Sequence, residues 1–137
     1  MNSTRTLARA AVLALLLGAT AQAHHSVAMF DQTRNITVEG EVKEWQWTNP
    51  HAWLQLVVTD ANGQTSEQGF ELGSPNTLTR DGFKKTSFNV GDKVTVVAAP
   101  RRDGTVGGLF LCGRTASGQW LRFGMGPNST PVPACQH

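Results

Sequence analysis

Three histidines carry the clearest chemistry in this sequence: His24, His25 and His51. His24 and His25 follow Ala21-Gln22-Ala23, which has the small residues at −3 and −1 that a signal peptidase requires. Cleavage after Ala23 would give His24 a free α-amino group. An N-terminal histidine chelates copper through that amine and its imidazole Nδ1 together, and a distant imidazole then completes a T-shaped histidine brace. Planar, nitrogen-rich coordination of this type selects Cu(II) over harder cations. His51, just after Pro50 at the start of an expected strand, is the distant imidazole, and His25 is an accessory or alternative ligand. Met29 and Met125 are soft donors for Cu(I), although methionine more often fills gaps in a core. The plainer alternative is a solvated histidine pair left by the peptidase, with His51 bonded to loop backbone.

The second feature is aromatic. Trp45, Trp47 and Trp53 flank Asn49-Pro50-His51, with Trp45 and Trp47 on one face and Trp53 on the face of His51. On the first strands of an OB-type barrel such rings form a ligand surface for a glycan or small aromatic. More often, such rings are half-buried core or rim residues. No Gly-x-Ser-x-Gly, P-loop, paired-carboxylate or closely spaced zinc motif is present, so the chain reads as a binding protein rather than an enzyme. A small copper oxidase would need the same brace with an open coordination position.

Residues 1–23 are expected to form a cleaved signal peptide. Arg5 and Arg9 make the positive start, and Ala10 to Gly18 (AAVLALLLG) is too short to span a bilayer. The alternative is an N-terminal core helix. Export places the mature chain, from His24, in the periplasm, without a membrane span. The whole chain has 12 basic and 10 acidic residues. Both basic residues of the signal leave with it, so the mature charge is near zero and nucleic acid is not an expected partner. In an oxidising compartment Cys112 and Cys135 are expected to pair, stabilising the fold by roughly 3 kcal/mol. A thiolate metal site with His137 is the alternative.

The elements that must position these residues read as strands. Ile36, Val38, Gly40 and Val42 share one face, and the phase slips at Lys43-Glu44 before Trp45 and Trp47. That pattern predicts a bulge in a long, curved first strand, with Val42 and Trp45 both inward. A second strand over 51–59 puts Ala52, Leu54, Leu56 and Val58 on one face. The turn at Asp60-Ala61-Asn62-Gly63 leads to a third, ending near Phe70 and Leu72. Ser74-Pro75 starts a helix of about two turns that stops at Gly82. Strands follow over 93–99 and 105–112, then a short one with Leu121 and Phe123. Three strands, a helix and two strands is the order of an OB-like β-barrel, an all-β fold with one short helix. A β-sandwich is the runner-up. The expected domain is 24–123, with a Pro-rich tail over 124–137 tied by the disulfide.

His24-His25-Ser26-Val27-Ala28-Met29-Phe30-Asp31, Gly40-Glu41-Val42, Trp47-Thr48-Asn49-Pro50-His51 and Gly91-Asp92-Lys93-Val94 carry a resemblance. In these the chain resembles a family of small secreted bacterial proteins of unknown function, over nearly all of the mature sequence. The resemblance implies a periplasmic protein with no assigned reaction, and its pattern includes His24, His25 and His51. Copper-carrying sandwich proteins with an N-terminal histidine are a looser analogy, since their strand order differs. The expected partners are therefore a metal ion or small ligand, or a periplasmic protein.

Overall fold

The computed structural model describes residues 27–124 and 132–135. Signal, histidine pair, Met125 and His137 lie outside the described residues. Within them run β1 (Ile36–Gln46), β2 (Trp53–Thr59), β3 (Thr65–Glu71), α1 (Pro75–Arg80), β4 (Lys93–Pro100), β5 (Gly108–Arg114) and β6 (Trp120–Arg122). The sheet order is β3-β2-β1-β4-β5-β6, and a parallel pairing of β3 with β5 closes strands β1 to β5 into a barrel. This is the OB-like arrangement that the element order implied.

Closure depends on β1, which serves two ladders. Ile36 to Glu41 pair with β4, and Glu41 to Gln46 pair with β2. The register shifts between Val42 and Glu44, so Lys43 is the extra residue of a bulge where one ladder hands over to the other. A bulge adds twist and bend there, and it moves the inward positions from even to odd numbers. Val42 is 1% exposed, and Trp45 packs on the same core, as the phase slip required.

The core combines Leu54 and Leu56 of β2, Phe70 of β3, Val94 and Val96 of β4, and Phe110 of β5. Phe110 meets Phe83 and Phe88 edge-on, at centroid distances of 5.8 and 6.4 Å. Leu78 of α1 joins this core. Ser74 caps α1 by accepting from the Thr77 N–H, and Gly82 takes φ +89° just past its end, where a side chain would be strained.

A second bulge lies between Val97 and Ala98, opposite Leu111. It turns Cys112 away from Phe110 and into a separate cluster with Val97, Cys135 and the flanking Leu111, Trp120, Val132 and Ala134. Cys112 and Cys135 are disulfide-linked with Cα atoms 6.0 Å apart, so neither sulfur is a free thiolate for metal. The link lays residues 132–135 over the outer face of β4 and β5. One expectation needs correction: β5 begins at Gly108, not Thr105. Asp103 accepts from both the backbone and hydroxyl of Thr105, making a turn, and Gly107 reaches φ +90° against the backbone of Gly69. No helix among the described residues is long and apolar enough to cross a membrane.

Candidate functional site

His51 sits in the β1–β2 loop, immediately ahead of β2. Its backbone is held on both sides. The Thr48 hydroxyl donates to the His51 carbonyl at 3.2 Å, and the preceding Asn49–Pro50 peptide is cis. The next residue, Ala52, donates to Gly73 O and accepts from Leu72 N–H, which extends the β2–β3 pairing beyond the strands proper. The alternation of β2 then buries Ala52, Leu54 and Leu56, while His51, Trp53 and Gln55 lie on the outer face, half-buried.

On β3 the same alternation puts Phe70 and Leu72 inside and Glu71 outside. Glu71 is directly opposite Trp53 in the antiparallel ladder and beside Leu109 in the parallel one. Neighbouring strands on both sides account for its burial, with only 9% of its side chain exposed. Its Oε1 is 2.5 Å from His51 Nδ1, and the imidazole is 35% exposed. A buried carboxylate without a partner is strongly unfavourable, and this contact supplies one. The resulting face comprises His51 of the β1–β2 loop, Trp53 and Gln55 of β2, and Gly69 and Glu71 of β3. Gln55 lies over Gly69, where a Cβ would meet its Oε1 at 2.8 Å.

The other tryptophans are elsewhere. Trp45 is paired with Leu54, so it faces inward with it, whereas Trp53 is paired with Gln46 and faces out. Trp45 stacks edge-on with Phe88 at 5.2 Å, lies 5.5 Å from Trp47, and donates its indole N–H to Lys84 O. Trp45 and Trp47 are thus core-flanking residues, and only Trp53 shares the face of His51. Three rings close in sequence do not form one aromatic surface, because strand pairing sends Trp45 and Trp53 to opposite sides of the sheet.

The chain leading toward His24 is anchored on the β4–β5 loop. Phe30 is 1% exposed and bridges to Arg101, whose guanidinium lies 5.6 Å over its ring. Arg102 donates its backbone N–H to Met29 O at 2.9 Å and its Nε–H to Ala28 O at 3.1 Å. Asp31 N–H donates to Pro100 O at 2.8 Å. Met29 itself is exposed. Pro100 pairs with Gly108, Leu109 with Glu71, and Glu71 with Trp53, so a path across successive strands joins this anchor to the strand that follows His51.

Among the described residues, no three His, Cys, Asp or Glu side chains converge on one point. His24 and His25, the other expected ligands, are outside them. A groove of about 500 Å³ runs over the outer face of β1, lined by Glu39, Glu41, Val57 and Lys93, but does not include His51. Sequence reasoning missed Glu71 and Arg102. The only local signal for Glu71 is a charged residue between Phe70 and Leu72; its partner lies 20 positions upstream and is found only through the β2–β3 register.

No curated protein matches the chain, and no solved structure matches it. A family model does: that of DUF6152, a family of unknown function, over residues 12–110. The match takes in the β1–β2 loop, Glu71 and the arm anchor, and since it spans more than half of the 137 residues, the chain belongs to the DUF6152 family.

Proposed function

We propose that the mature protein is periplasmic and holds a copper ion between the N-terminal amine and imidazole of His24 and the imidazole of His51, with His25 as an accessory ligand. The observation that carries this reading is the anchoring of the arm at Phe30. Four strand spacings, through Arg101, Gly108 and Glu71, separate Phe30 from the start of β2. We read the His-His-Ser start and the Asn-Pro-His loop as parts of one site, because the arm that leads to His24 is tied down at Ala28, Met29 and Phe30, within six residues of it, on the loop that follows β4.

The test is a competitive Cu(II) titration on three proteins: the mature chain, the same chain with its α-amine acetylated, and His51→Ala. Acetylation turns the amine into an amide and so removes the six-membered chelate of amine and Nδ1. Most of the affinity should be lost in both altered proteins, with the fold intact. Equal affinity in all three refutes the copper reading. A second reading then takes its place, supported by Trp53 on the outer face beside Gln55: a binding or assembly module for a glycan or partner protein.

A further inference from the structure

We propose that Glu71 is the positioning residue of this site, holding His51 with its proton on Nδ1 so that Nε2 is the nitrogen presented to a metal. The consequence for metal rests on the copper reading; the facing of Nδ1 toward Glu71 rests on geometry alone. Oε1 of Glu71 lies 2.5 Å from Nδ1 of His51, so that ring nitrogen faces the carboxylate and Nε2 is the one left open to a ligand. Which ring nitrogen carries the proton is set by the partner of the other, and a carboxylate beside Nδ1 favours the proton there. A neutral imidazole then has its one lone pair at Nε2.

The burial of the two groups supports the same assignment. Glu71 is locked between β2 and β5 with 9% of its side chain exposed, while the His51 ring is 35% exposed. The rigid carboxylate sets the orientation of the more open imidazole, not the reverse. A metal-ligating histidine commonly donates its second ring N–H to a carboxylate, which fixes the tautomer and raises the basicity of the ligating nitrogen. Losing that partner weakens metal binding by about 10–100-fold.

Two measurements on ¹⁵N-labelled mature protein test this. Long-range ¹H–¹⁵N spectra of the copper-free protein should show His51 protonated at Nδ1, and Glu71→Ala should shift the population toward Nε2–H. In the Cu(II) titration, Glu71→Ala should lose about 10–100-fold in affinity. Glu71→Gln, whose amide oxygen still accepts from Nδ1–H, should recover most of it. A wild-type His51 protonated at Nε2 overturns the role of Glu71, and does so even where Glu71→Ala fails to fold. So does wild-type affinity in Glu71→Ala alongside a large loss in His51→Ala. An unchanged affinity in His51→Ala instead overturns the copper reading, and with it the metal-facing consequence.

Discussion

Replacing both cysteines with alanine isolates what the tail contributes to this small barrel. The linked residues are 23 apart in sequence, and the chain-entropy relation for a loop of that size gives about 3.4 kcal/mol at 25 °C. Alanine is the suitable replacement because Cys112 and Cys135 are 0% and 3% exposed, where a serine hydroxyl would be buried. Without the link, Val132 and Ala134 also leave the cluster around Val97 and Trp120; both are only partly buried, so this adds about 1 kcal/mol. The expected loss is about 4 kcal/mol, a large share of the 5–15 kcal/mol typical of a domain. With a urea slope near 1.5 kcal/mol/M, the midpoint should fall by about 2–3 M. Urea titrations of oxidised wild type and Cys112→Ala/Cys135→Ala, followed by tryptophan fluorescence, measure it. A fall below about 0.5 M would refute the reasoning, because neither the loop constraint nor the tail packing would then matter. The variant should also keep wild-type copper affinity: the cluster covers the outer face of β4 and β5, while His51 and Glu71 lie on β2 and β3.

Trp45→Ala should cost about 2–3 kcal/mol in the same assay, below the range for a fully buried tryptophan, and leave binding at the outer face unchanged. Trp53→Ala should do the opposite, staying within about 1 kcal/mol in stability while removing any ligand that stacks there. Asp103 offers a pH test. The Thr105 hydroxyl, then the Thr105 backbone N–H, hold its carboxyl below the ordinary carboxylate range. Asp31 is lowered in the same way by Thr33. A depressed folded pKa contributes stability above the unfolded value and loses it as pH falls through the folded one. Thr105→Val should therefore raise the Asp103 titration midpoint toward the ordinary range in an NMR titration; an unmoved midpoint would mean that the hydroxyl is not its main cause.

Much of the barrel was legible because its signals are local. The phase slip after Val42, the Ser74-Pro75 cap and the Gly82 stop each follow from a few adjacent residues and their backbone preferences. His51 could be placed with the outer face of β2 from period-two alternation alone, and two cysteines in a small domain read as exported implied their own bond. The start of β5 was misjudged because Thr105 looked like a strand residue, while the turn around Asp103 and the packing of Gly107 on Gly69 decided otherwise.

What only the tertiary structure decided is everything that depends on register between strands. Alternation places a residue on one of two faces of its own strand but says nothing of which residue stands opposite. Thus Trp45 stands opposite Leu54 and against Phe88, while Trp53 stands opposite Glu71. Phe110 and Cys112, two positions apart, part into different clusters at a bulge. Glu71 reaches His51 only because β3 pairs with β2 in one register, and it is buried only because β5 closes the barrel beside it. The sequence by itself determined which residue types were present for chemistry and which strand faces they occupy. Which of them meet was decided by pairing across the sheet, since those contacts are set by the packing of the whole core and not by any short stretch of chain.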